Sequence, residues 1–189
     1  CGLTGNHDMS MLHGLGGTFL IYSNTNLTGI THTASTEVFT YYFAYSCGLT
    51  GNHDMSMLPG LGGNFRIQSN SALTGITHTA STETFSFYET RSCGLTGNHD
   101  MSMLPGLGGI FQINNNTSLT DISNPLSTEV FSQYWANNCD LNYVNFLPLS
   151  GATMNGANIQ LQDNNIGAEQ VNHILSDLYE LNDVYSQPG

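Results

Sequence analysis

Several short stretches of the chain alternate apolar and polar residues, and the alternation returns at a fixed interval. Phe19 and Ile21 share one set of alternate positions, as do Phe65 and Ile67, and Phe111 and Ile113. A second set, Phe39, Tyr42 and Ala44, recurs as Phe85, Tyr88 and Thr90 and again as Phe131, Tyr134 and Ala136. A period of two marks strands with one buried face. Strands are therefore predicted here, with positions 18, 20 and 22, and 41, 43 and 45, pointing away from the core. The intervening NHDMSMLPGLGG and LTGITHTAST segments carry Gly, Pro and Ser, and are expected to form convex turns with little regular helix. Near the end the period changes. Val171, Ile174, Leu175, Leu178 and Leu181 fall at helical spacing within AEQVNHILSDLYELNDVY.

The pattern belongs to a repeat. CGLTGNHDMSML occurs three times unchanged, starting at Cys1, Cys47 and Cys93, and a degenerate copy starts at Cys139, a period of 46 residues. Each unit divides again, because Asn24, Asn70 and Asn116 stand halfway between the cysteines, at steps of 23 residues. Either residue can bond to the backbone of a neighbouring turn at a buried corner without adding a charge. Ile159, Leu161, Asn164 and Ile166 mark a last turn, 25 residues after Cys139. The spacing matches the leucine-rich pattern L-x-x-L-x-L-x-x-N/C-x-L, whose repeats run to about 20–29 residues. The LTG after each cysteine, the GLGG-x-F-x-I-x-S-N string and the closing NN-x-x-A-E-Q-V-N-H-I-L-x-D-L resemble leucine-rich repeats of bacteriophage virion fibres and bacterial surface adhesins. That resemblance implies adhesion or receptor recognition at a virion or cell surface, with neighbouring fibre or virion subunits as partners.

The expected fold is a leucine-rich-repeat solenoid, β-rich within the α/β class, with a parallel sheet on one side and an irregular convex side. Residues 1–166 would form the solenoid of about eight turns, as double repeats at 1–46, 47–92 and 93–138, and residues 167–189 a capping helix and tail. The chain opens at Cys1 in mid-repeat, without an initiator Met or signal peptide, and reads as a segment of a longer polypeptide.

Aligning the three double repeats isolates seven positions at which all copies differ. Six lie on the predicted outward strand face: Thr18, Asn64 and Ile110; Leu20, Arg66 and Gln112; Tyr22, Gln68 and Asn114; Tyr41, Phe87 and Gln133; Phe43, Glu89 and Trp135; and Tyr45, Arg91 and Asn137. The seventh, Asn26, Ala72 and Ser118, follows directly after a strand. Unconstrained drift would also alter the convex side, yet NHDMSML is verbatim in every copy. A fixed scaffold with one diversified face is how a repeat protein is tuned to a ligand. The face also collects Tyr, Trp and Arg, the residues that dominate binding hot spots. A cell-surface glycan or protein receptor is the expected partner.

Composition narrows the choice of partner. Lys and Arg total 2 against 14 Asp and Glu, a net charge of −12, and the two cations are Arg66 and Arg91. Nucleic acid and anionic membrane surfaces both call for clustered cations, so neither is expected. No apolar run approaches the roughly 18 residues of a membrane span.

Other chemistry reads as structural. Cysteines two turns apart should lie roughly 9–10 Å from one another given a strand spacing near 4.8 Å, beyond the roughly 7 Å a disulfide allows. Free, buried thiols are expected. His7-Asp8, His53-Asp54 and His99-Asp100 offer two ligands each where zinc takes at least three. No metal or other cofactor is expected, and the aspartates should cap convex turns. The GLGG strings lack the ending of a phosphate loop and read as tight turns. No catalytic constellation emerges, and a non-enzymatic role is expected. Asn26-Leu27-Thr28 and Asn115-Asn116-Thr117 match the glycosylation acceptor pattern.

Overall fold

A computed structural model describes residues 2–11, 16–34, 37–81, 83–127, 130–146, 149 and 156–186, the last six of these by backbone only. Cys1 and the side chain of Leu181 lie outside the described residues. The chain is a parallel β-solenoid followed by one helix. Its principal sheet has seven strands: β2 (Gly17–Tyr22), β4 (Phe39–Tyr45), β6 (Leu61–Gln68), β8 (Phe85–Glu89), β10 (Leu107–Gln112), β12 (Phe131–Trp135) and β13 (Asn158–Gln160). All pair in parallel and in chain order. Seven strands enclose six turns, not about eight. The higher expectation counted corner residues rather than strands.

The convex side is more regular than its composition suggests. It carries three parallel strand pairs: β1 (Thr4–Asp8) with β3 (Asn26–Thr31), β5 (Thr50–Asp54) with β7 (Ala72–Thr77), and β9 (Thr96–Asp100) with β11 (Ser118–Ser123). Turns were expected there, because the repeated TGNHD offers almost no apolar alternation. In β5 and β9 the histidine is the one buried residue. The aspartates do cap turns. Asp8, Asp54 and Asp100 accept from the backbone N–H of Ser10, Ser56 and Ser102 at 2.8, 2.8 and 2.9 Å. Bonds from the same serines hold these carboxyls below the usual range.

The two strand layers enclose an aromatic ladder. Phe19, Tyr42, Phe65, Tyr88, Phe111 and Tyr134 follow one another with ring centroids 4.7, 5.5, 5.0, 5.7 and 4.6 Å apart. Phe and Tyr alternate because one 46-residue unit contributes both. Leu27, Leu49, Leu73, Leu95, Leu119 and Leu141 pack beside them, each at most 1% exposed. Burial of this apolar surface is the main force holding turn on turn.

The corners hold the turns in register. Asn70 donates from Nδ2 to the carbonyls of Ala44 and Gln68 at 3.1 and 2.8 Å. Asn116 donates to Thr90 O and Ile113 O, and its Oδ1 accepts from Cys93 N. Asn164 repeats the arrangement with Ala136 O, Leu161 O and Leu141 N. Cys47, Cys93 and Cys139 are buried free thiols whose Sγ atoms face the same kind of carbonyl. Burial pushes the Cys93 and Cys139 thiols up to about 12 and about 11, so they stay protonated at neutral pH. The residue before each corner is left-handed, at Ser23, Ser46, Ser69, Ser92, Asn115, Asn138 and Asp163.

Helix α1 (Ala168–Ser186) follows the last strand. Ile174 is buried and Leu178 packs against the core, while Val171 and Leu175 are 42% and 59% exposed. The cap is thus narrower than the apolar spacing implies. A buried Asp177 strengthens it: Oδ2 accepts from Tyr143 OH at 3.0 Å and Phe146 N at 3.3 Å.

Candidate ligand-binding face

Alternation along the principal strands sends Ile21, Tyr42, Ala44, Phe65 and Ile67 inward, all buried, and the intervening residues outward. Strand register then sorts the eighteen varying residues into three rows across the sheet. Thr18, Tyr41, Asn64, Phe87, Ile110 and Gln133 form the first. Leu20, Phe43, Arg66, Glu89, Gln112 and Trp135 form the second. Tyr22, Tyr45, Gln68, Arg91, Asn114 and Asn137 form the third, continued beyond the paired strands by backbone bonds such as Ser69 N to Arg91 O and Ser92 N to Asn114 O. Asn158 and Gln160 extend the first two rows. They were missed because the fourth unit breaks the 23-residue spacing, although the alternation in Asn158-Ile159-Gln160-Leu161 was there to read.

The rows change character along the sheet. At the β2 end the surface is aromatic and aliphatic. Tyr41, Phe43 and Tyr45 lie along one strand with centroids 6.1 and 6.0 Å apart, and Leu20 and Tyr22 stand exposed beside them. At the β13 end it is amide-rich around Trp135, and Gln112 Nε2 donates to Gln133 Oε1 at 3.2 Å.

The centre holds charge. Arg66 Nε donates to Glu89 Oε2 at 2.8 Å, and Arg91 Nε lies 3.2 Å from Glu89 Oε1. The Arg66 guanidinium also sits between Phe43 and Phe87, 5.6 and 4.8 Å from their centroids. Glu89 is 1% exposed, whereas the arginine side chains are 32% and 42% exposed. The face is therefore less open than alternation alone predicts. Gln68, Glu89, Gln112 and Asn114 are all buried by their long neighbours on the same rows. Gln68 Nε2, Asn114 Oδ1 and Trp135 Nε1 are buried there without a hydrogen-bond partner.

The histidines of the convex side point inward: His32, His53, His78 and His99 are all buried. Tyr42 OH lies 3.0 Å from His32 Nε2 and 2.9 Å from His53 Nε2. Tyr88 OH lies 2.7 and 2.6 Å from the same atoms of His78 and His99. One hydroxyl proton cannot serve both rings, so one histidine of each pair accepts while the other donates. Burial lowers His32 and His99 to about 4 and His53 and His78 to about 3, leaving them neutral at pH 7. In the third unit Tyr134 OH donates to Asn124 Oδ1 at 3.1 Å instead.

Among the described residues, no three His, Cys, Asp or Glu side chains converge where a metal ion could sit, and no helix is long and apolar enough to cross a membrane. No protein-family model, curated protein or solved structure matches the chain.

Proposed function

We propose that the protein is a non-enzymatic recognition module of the leucine-rich-repeat kind, which grips a cell-surface glycan or protein receptor through the outward face of its principal sheet. One observation carries the reading: six of the seven positions at which all three near-identical repeats differ fall into three adjoining rows on one face of the sheet. Side chains held on a parallel sheet lose little freedom on binding, which favours affinity. Aromatic platforms and amides suit sugar rings and hydroxyls, and Tyr, Trp and Arg suit protein partners equally. By its resemblance to virion and surface repeats, the module belongs in a phage fibre, with a bacterial adhesin as the alternative owner.

The test is binding of the purified protein to a panel of bacterial cells and surface glycans, beside a variant with Tyr41, Phe43, Tyr45 and Trp135 changed to Ser. A folded variant that loses the targets of the parent supports the reading. Equal binding by both, or none by either, overturns it.

A structural spacer or filament subunit is the second reading, favoured by the exposed apolar side chains of the face, among them Leu20 and Tyr22 at 53% and 59%, which suit packing against another subunit as well as a ligand. Concentration-dependent filaments in sedimentation and electron microscopy, without target binding, are the outcome it requires.

A further inference from the structure

We propose that Arg66 and Arg91 are an acid-recognition pair, and that the ligand of the strand face is an anionic glycan whose ring oxyanions dock on them. The inference rests on the reading of this face as the binding surface and adds the chemistry of what it binds.

Charge distribution comes first. Both cations of the chain stand on the three rows of this face, where Glu89 is the one acid among the described residues, although the chain as a whole carries −12. At physiological salt the Debye length is about 8 Å. An anion close to the face therefore meets mainly the local positive field, and the acidic remainder disfavours adsorption anywhere else.

Orientation comes second. Glu89, almost wholly buried, faces Arg66 Nε with one carboxylate oxygen and Arg91 Nε with the other. Both guanidinium groups are thereby tethered by their inner nitrogen. Among the described residues their Nη groups bond to no acceptor, and the two side chains are 32% and 42% exposed. A planar guanidinium with a free edge matches a carboxylate or sulfate in bidentate fashion. The Arg66 guanidinium carbon lies 5.6 Å from the Phe43 centroid and 4.8 Å from that of Phe87, aromatic contacts that add to its hold. One buried acid facing two cations satisfies itself and leaves a positive charge without a counterion, which a purely structural triad would not require.

The surroundings fit a sugar. Gln68 and Asn114 flank Arg91 in its row, are 5% and 9% exposed, and each holds a buried amide atom without a partner. A small shift of either amide supplies a donor and an acceptor to ring hydroxyls beside the docked oxyanion. Unpaired buried amides are costly, and a ligand that pairs them gains that energy.

The probes are polygalacturonate, dextran sulfate and neutral dextran, titrated against the whole chain by calorimetry. Polygalacturonate presents carboxylates and dextran sulfate presents sulfates. Binding of either charged polymer, but not of dextran, is expected, and it should weaken as NaCl rises from low to high. Arg91→Gln keeps the Arg66–Glu89 pair and so its fold, checked by circular dichroism. It should weaken binding roughly ten- to a hundredfold, the value of one charge-assisted contact, while Arg91→Lys should retain part of it. Preference between the two charged polymers identifies which oxyanion is read. Equal binding of dextran, no binding of any probe, or indifference to Arg91→Gln overturns the proposal. The four-residue aromatic variant separates the two failures. If it loses the cellular targets while Arg91→Gln keeps them, the face is a recognition surface for an uncharged partner. If neither variant changes target binding, the recognition reading falls as well.

Discussion

At position 90 the repeat places a threonine where the equivalent turns carry Ala44 and Ala136, and its Oγ1 is buried without a hydrogen-bond partner. A buried hydroxyl left unpaired costs about 1–3 kcal/mol. Thr90→Val keeps the volume and removes the unpaired oxygen, so it should raise stability by about 1 kcal/mol. Urea denaturation monitored by far-UV circular dichroism measures this, and a lower midpoint for the valine variant would sink the idea. Gly109 supplies the opposite case. Its φ is +58°, and a Cβ there would strike the carbonyl oxygen of Ser86 on the neighbouring strand. Left-handed strain of about 1–2 kcal/mol adds to that backbone clash. Gly109→Ala should therefore lower the midpoint far more than Gly156→Ala, which shares a positive φ but whose added Cβ meets nothing within 4 Å among the described residues.

At the scale of elements, the principal strands were legible because their inward positions are aromatic or aliphatic and their period is two. The convex strands were not, because TGNHD buries one side chain and that one is histidine. A polar residue beside an aspartate reads as a surface cap, and only the partner Tyr42 or Tyr88, eleven residues away in sequence, explains why it turns inward. The same limit applied to the binding face. Alternation gave its eighteen residues their direction, but how deeply Glu89 sinks depends on Arg66 reaching it from β6 and on Arg91 two residues further along its own segment. Helix α1 was legible in its extent and not in its seat. The spacing of Val171 and Leu175 suggested a broad apolar contact, whereas the seat is Ile174, Leu178 and a buried Asp177. Asp177→Ala would leave Phe146 N and Tyr143 OH without their acceptor, at about 1–3 kcal/mol. Its consequence should be local: faster amide exchange in the helix and at Phe146, with the middle strands unchanged. Uniform acceleration along the solenoid would show that the helix is not seated through this residue.

Over the whole molecule the buried histidines set how stability responds to acid. An unfolded histidine titrates near 6.5, whereas His32 and His99 titrate at about 4 and His53 and His78 at about 3 in the folded chain, chiefly through burial. The neighbouring Asp54 raises His32 and His53, and Asp100 raises His99, without cancelling that effect. Folding thus holds the rings neutral. Their contribution is complete above pH 6.5 and declines as pH falls below it, because the unfolded chain then binds protons that the folded chain refuses. The decline continues down to the folded values, at up to about 1.4 kcal/mol per pH unit for each ring. Protonating carboxylates relieves the repulsion of a chain at −12, a trend of the opposite sign, so the parent's profile alone does not isolate the rings. The chain contains the control it needs. Asn124 stands where the repeat otherwise has His78, Asn145 stands at the position of His99, and Tyr134 is served by Asn124 there. Replacing His78 by Asn copies the Asn124–Tyr134 bond that the solenoid already accommodates, whereas Asn145 is exposed where His99 is buried. The His78→Asn variant should match the parent within about 1–2 kcal/mol at pH 8 and lose less of its stability by pH 5, where the parent carries the proton linkage of four rings and the variant of three. Denaturant midpoints of both chains from pH 8 to pH 4.5 decide the matter: a variant that gains steadily on the parent as pH falls assigns the acid sensitivity to the buried His–Tyr–His clusters, and parallel curves remove them as its source.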